Sequence, residues 1–169
     1  DTGVESYAST ENLIPAMTSN TSPSGVASAS SFADNLGYVY EPYTAFNQQE
    51  AHGGVGGKDN YWCSLEKEAW LAYEFPEAEI VNKYTITNDY SLNLPGADEM
   101  PERFPRDWTF EGFNEITNQW DILDTKIGES GWTYNVKKEY TFSNSKSYKK
   151  YRINITENNG YSQCTAIGE

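Results

Sequence analysis

Histidine is almost missing from this chain: of 169 residues only one, His52, carries an imidazole. Acid–base catalysis near neutral pH draws most often on that side chain. A Ser-His-Asp arrangement would have to be built on His52, and no Gly-x-Ser-x-Gly elbow or His-Glu-x-x-His run accompanies it. Basic residues are scarce as well. Twelve Lys plus Arg stand against 25 Asp plus Glu, a net charge of −13. That balance argues against nucleic acid and against anionic lipid surfaces, both of which require a basic footprint. No apolar run approaches the roughly 20 residues that span a bilayer, no stretch reads as a signal peptide, and no membrane insertion is expected. Helical periodicity is also lacking: no segment holds it for three turns.

Cysteine is limited to Cys63 and Cys164, whose separation matches no zinc or redox spacing. They are read either as a disulfide closing a loop of about 100 residues, worth ~4–5 kcal/mol in the chain-entropy model, or as two buried free thiols. The glycine-rich run 52–60, "HGGVGGKDN", is not a phosphate loop, because His52 and Asp59 occupy positions where that pattern requires Gly and Ser or Thr.

What is abundant is aromatic side chain: 13 Tyr, seven Phe and five Trp make up 15% of the chain. Aromatics favour pleated, half-buried surfaces, and their polar tips suit recognition. Strand signals recur at regular spacing. They cover "GVASASSF" (25–32), "AWLAYEF" (69–75), "IVNKYTITN" (80–88), the paired runs "DWTFEGF" and "QWDILDTK" (107–126), "KKEYTF" (137–142), "KKYRINITEN" (149–158) and "TAIGE" (165–169). Many short strands divided by turn residues predict an all-β fold, a jelly-roll β-sandwich, over residues 25–169. Residues 1–24 read as a loose lead-in or linker. The segment 89–106 is longer than an ordinary connection, a length at which loops are often functional.

These features suit a binding protein better than an enzyme. Sugar recognition places aromatic faces against C–H faces of the ring, while amides, carboxylates and Arg bond the hydroxyls. The residue types and loop positions mark Tyr38, Tyr40, Tyr43, Trp62, Asn88, Asp89, Tyr90 and the run 158–164 as candidates, with its Tyr161, in a Gly-Asn turn, the best of them. Trp70, Trp108 and Trp120 alternate within strands and are expected in the core. Calcium would need six to eight oxygens, which the runs 44–49 and 58–60 together with Glu169 could supply.

Five segments, in order, resemble the discoidin or coagulation-factor type C superfamily, most closely its family-32 carbohydrate-binding modules. They are "AFN" (45–47), "YWCS" (61–64), "AWLAYEF", "DWTFEGFNEITNQWDILD" (107–124) and "YKKYRINITENNGYSQCTAIGE" (148–169). The resemblance implies a structural Ca²⁺ held by Ala45 through its carbonyl, Asn47, Asp59 or Asn60, and Glu169. It implies a glycan as partner, and a monomeric, non-catalytic module within a larger secreted or cell-surface bacterial protein, such as a glycoside hydrolase. A discoidin-like adhesion domain that binds protein is the alternative. The galactose constellation of the family is not reproduced. Cys63 stands where its His would be, and Asp89 where its Arg would be. The insertion 89–106, with Arg103 and Arg106, would either build a new pocket beside the old one, making Arg103 a candidate ligand residue, or cap the sandwich; Tyr161 matches the final-loop aromatic.

Overall fold

A computed structural model describes residues 11–35, 38–49, 61–88, 100–134 and 136–169. Among these, eleven strands appear in chain order: β1 (Val26–Ala29), β2 (Asp34–Asn35), β3 (Tyr38–Val39), β4 (Trp62–Cys63), β5 (Ala69–Glu79), β6 (Lys83–Thr87), β7 (Pro105–Asn114), β8 (Gln119–Lys126), β9 (Lys137–Thr141), β10 (Tyr148–Asn158) and β11 (Ala166–Ile167). Short 3₁₀ turns occupy Pro42–Phe46 and Pro101–Arg103.

The main sheet has the order β1-β5-β10-β7-β8 and is antiparallel throughout. The pairs β6–β9 and β4–β11 supply the opposing side-chain layer, and β2–β3 forms a separate ladder. Period-two alternation sets the inner face of the main sheet. Leu71, Tyr73 and Phe75 on β5 point inward, as do Tyr151, Ile153 and Ile155 on β10 and Trp108 and Phe110 on β7. Ile86 and Tyr140 meet Trp108 and Ile153 from the other layer. The fold is therefore the all-β sandwich expected from the sequence.

The two layers are joined by one polar chain as well as by apolar contact. Tyr84 on β6 stacks on Phe110, with centroids 4.3 Å apart and planes 6° from parallel. Its hydroxyl accepts from the Trp108 indole at 2.9 Å and donates to Asp124 on β8 at 2.9 Å. Burial, and secondarily the Asp124 carboxylate, push the Tyr84 phenol well above its ordinary value. Tyr84 thus stays a neutral donor, and the buried indole N–H is satisfied.

The β7–β8 hairpin forms as the sequence dictates. Its turn follows Asn114, whose side-chain carbonyl accepts from the amides of Ile116 and Thr117 at 3.1 and 3.4 Å. Asn118 takes a positive φ of 56°, a conformation Asn tolerates better than most residues. Gly112, on β7, is required for a different reason. A Cβ there would sit 2.6 Å from the Tyr148 ring, which lies flat over the backbone.

Three expectations are corrected. Trp108 is in the core, but Trp70 and Trp120 are not; both are half-buried. Trp70 alternates with buried Ala69 and Leu71, which puts it on the outer face of the main sheet. Trp120 lies on edge strand β8, with the Arg152 guanidinium 4.2 Å above its ring and Phe113 against it at 5.2 Å. Nor is the lead-in loose throughout. Met17 is fully buried against Ala27, Phe75 and Tyr151, and its amide donates to Phe46.

Candidate functional site

The loop from Asn158 to Thr165 is organised by one side chain. Asn158 is 1% exposed. Its amide nitrogen reaches the carbonyls of Tyr161 and Cys164 at 2.8 and 2.9 Å, and its side-chain oxygen accepts from Gly160 at 3.1 Å. Local bonding of this kind fixes a loop that has no ladder of its own. Asn159 then ties the loop to its neighbour. Its backbone and side-chain N–H groups both donate to Phe104, and Tyr161 donates to Glu102 at 3.2 Å.

Those bonds bring two sequence candidates together. The Arg103 guanidinium carbon lies 4.5 Å from the centroid of the Tyr161 ring, and its Nη2 reaches the Tyr161 hydroxyl at 3.4 Å. The hydroxyl in turn donates to Gln163 Oε1 at 3.1 Å. Arg103 and Tyr161 are half-buried and Gln163 is exposed. A cation over an aromatic face is favourable by ~0.5–2 kcal/mol, more as it is desolvated. The cluster offers an aromatic surface, a guanidinium fork and an amide within one short reach.

The other sequence candidates part company. Trp62 is fully buried, and its indole N–H donates to the Ser31 carbonyl at 3.0 Å. Both ring faces are covered by core, so it is not a sugar platform. Asn88 is likewise fully buried, forming a bridge with Tyr134, and presents no amide at the surface. The backbone of Tyr38 lies in β3, opposite Asn35. Asp89 and Tyr90, as well as His52, Asp59 and Asn60, lie outside the described residues.

For the calcium ligands, the described part of the set converges. Glu169 Oε2 accepts from the Gln48 amide at 3.2 Å, across 121 positions of sequence. Asn47 is buried, with Oδ1 accepting from Gln49 at 2.9 Å, and Ala45 is buried beside it. Carbonyl, amide and carboxylate oxygens are the hard donors that Ca²⁺ prefers, and Asp59 and Asn60, the rest of the expected set, lie outside the described residues. Among the described residues there is no group of three or more His, Cys, Asp or Glu able to hold a metal. A cavity of about 900 Å³ also opens on the flank against Ile14, Phe46, Phe75 and Phe110; neither Arg103 nor Tyr161 lines it.

Sequence reasoning marked the run 158–164 as a candidate but singled out only Tyr161 within it, not Asn158 or Gln163, and it missed Trp132. Trp132 is 3% exposed and donates to the Pro105 carbonyl at 2.9 Å, just behind the Arg103 turn. The "NNG" run at 158–160 was the available signal for Asn158, since Asn before Gly marks a side-chain-closed turn.

No family model and no curated protein matches the sequence. Solved structures do match in fold. A family 32 module from Clostridium perfringens NanJ, in complex with galactose, is 15% identical, with a TM-score of 0.62 over 86% of this chain and 90% of that one. A chitosan-binding module from a Paenibacillus chitosanase/glucanase is 17% identical, with a TM-score of 0.62 over 89% and 95%. The lectin domain of lectinolysin, complexed with Lewis B antigen, is 18% identical, with a TM-score of 0.60 over 90% and 94%. By superposition, the chain has the discoidin-like β-sandwich fold of the family 32 carbohydrate-binding modules.

Proposed function

We propose that this chain is a non-catalytic glycan-binding module, and that Arg103, Tyr161 and Gln163 contribute to its ligand site. The observation that carries the reading is the stacking of Arg103 on Tyr161 beside the Gln163 amide. An aromatic surface with converging amide and guanidinium donors is the chemistry that sugar hydroxyls and C–H faces require. Solved structures of the same fold, in complex with galactose and with Lewis B antigen, support it. In this reading the module sits within a secreted or cell-surface protein and holds a catalytic partner near its glycan. Calcium bound by Ala45, Asn47 and Glu169 has a structural role.

A protein ligand is the competing reading, favoured by one observation. Ile116, Ile122 and Ile127, set along the β7–β8 hairpin and its exit, are 94%, 64% and 79% exposed, and apolar side chains along an edge strand suit a protein contact.

A glycan array probed with the wild-type chain and with Tyr161→Ala, each with calcium and with chelator, tests both readings. Glycan signals that fall in Tyr161→Ala are expected. An array blank in both conditions, alongside a partner captured equally well after deglycosylation, overturns the glycan reading in favour of the protein one.

A further inference from the structure

The two cysteines, far apart in sequence, are neighbours in the core. Cys63 ends β4, opposite Ala166 of β11 in the ladder. Cys164 lies two residues before Ala166, just outside β11. Ser64 and Thr165 hold the two segments in register: the Ser64 amide donates to the Thr165 carbonyl at 2.9 Å, and the Thr165 amide to Ser64 Oγ at 2.8 Å. Both sulfurs are buried in the same apolar cluster, with Trp62, Phe104 and Ile167, and both are free thiols. The Cys63 thiol donates to the Ser64 carbonyl at 3.6 Å, and the two thiols are near enough to shift each other's titration.

We propose that Cys63 and Cys164 are an oxidisable pair that closes an intrachain disulfide, fastening the Tyr161 loop to β4. The segments that carry them are already tied together by the Ser64–Thr165 bonds, so closure does not have to bring distant parts of the chain together. The surroundings favour the chemistry. The hydrogen bond from Cys63 and the nearby Arg103 charge bring the Cys164 thiol down to about 7, while burial opposes them. The same hydrogen bond, with burial, pushes Cys63 up. Cys164 can serve as the first thiolate and Cys63 as the resolving thiol; the reverse order balances equally.

With oxidised glutathione as the oxidant, Cys164 attacks one of its sulfurs. A mixed disulfide forms and one glutathione thiolate leaves. Cys63 then loses its proton to solvent and attacks Cys164 Sγ, and the second glutathione thiolate leaves. The protein has lost two electrons and two protons, and one glutathione disulfide has become two glutathiones.

The inference is independent of the glycan reading, because no ligand enters its test. The reduced, denatured chain is refolded with a mixture of oxidised and reduced glutathione, denatured again and treated with iodoacetamide. A mass lower than that of the reduced chain by two hydrogens, with no alkylation, is the expected result. So is a melting temperature higher than that of the reduced protein by about 10 °C, the size expected for a loop of this length in a domain of this size. Cys63→Ala and Cys164→Ala should each keep one thiol that is alkylated or glutathionylated, and each should lose the redox-dependent melting shift. Two alkylated cysteines in the refolded wild-type chain, or a glutathione adduct that never resolves, overturn the proposal.

Discussion

The guanidinium of Arg103 lies over the ring of Tyr161, 58 positions away in sequence, and its Nη2 reaches the tyrosine hydroxyl at 3.4 Å. Neither residue is placed by a strand. The 3₁₀ turn Pro101–Arg103 and the loop after β10 meet through the Asn159–Phe104 and Tyr161–Glu102 backbone bonds. If this pair contacts ligand, Tyr161→Ala should weaken glycan binding by about tenfold, the usual scale for removing a central aromatic anchor. The melting temperature should change little, because the loop is held by Asn158 rather than by the ring. Calorimetric titration of the best array ligand, with a thermal melt alongside, checks this.

Trp62 is a core residue with a satisfied indole, so its substitutions should act on stability. Trp62→Phe retains most of the packing and leaves the Ser31 carbonyl without its donor; a loss of about 1–3 kcal/mol is expected. Trp62→Ala opens a cavity and should cost about 3–5 kcal/mol. Urea unfolding followed by fluorescence reads both values. Retained glycan binding by folded Trp62→Phe would agree with its placement away from the site.

Gly112 lies under Tyr148. A methyl group at this position meets the ring at 2.6 Å, too close for any Cβ contact. Gly112→Ala should therefore destabilise the chain by about 1–3 kcal/mol through overpacking. The double variant Gly112→Ala, Tyr148→Ala should recover less than additive loss in chemical denaturation, since the clash is gone.

On the outer face of the main sheet, Arg152 Nε donates to Glu111 Oε2 at 2.5 Å and its guanidinium covers Trp120. Glu111 is 4% exposed. Arg152→Met leaves that carboxylate buried without its cation, an arrangement that costs about 3–5 kcal/mol. Arg152→Met combined with Glu111→Leu should restore much of the stability. Equilibrium unfolding of the three variants measures the difference.

Asp121 links β8 to the loop before β10. It accepts from Lys146 Nζ at 2.8 Å, Tyr148 Oη at 2.8 Å and Asn114 Nδ2 at 3.1 Å. The Lys146 bond first, then Tyr148, holds its carboxyl below the usual carboxylate range. The stability it contributes is present above the unfolded value of about 3.9 and is lost as pH falls through the lower folded value. Asp121 raises Lys146 in return. That contribution is complete below the unfolded lysine value and is lost as pH rises through the raised one. Asp121→Asn should therefore flatten the stability profile at both its acid and alkaline ends, as read by thermal melts across pH.

The strand content was legible because it depends on local pattern. β8 spans the run "QWDILDTK", and β5 and β10 contain the alternating runs that predict them. The turn at 115–118 follows from Asn114 and from Asn118 at positive φ. These features answer to neighbours one to four residues away, and the sequence carries that information directly.

Which face of each strand is inside was only half legible. Alternation separates Trp70 from Leu71 without saying which side meets the second layer. That is decided by β6 and β9, which cover Trp108, Phe110 and Ile153, and leave Trp70 and Trp120 outside. The reading of Trp62 failed for a related reason: an aromatic at a loop boundary exposes its face unless something covers it, and here its core neighbours do.

The sequence by itself determined an all-β chain, acidic, aromatic-rich and almost without histidine. Its composition and period-two patterning are enough for that, because they govern local conformation and burial. Only the tertiary structure decided that Arg103 meets Tyr161, that Glu169 reaches Gln48 and that Cys63 adjoins Cys164. Each of these contacts joins segments between 58 and 121 residues apart, and depends on sheet order and loop closure rather than on any pattern within either segment.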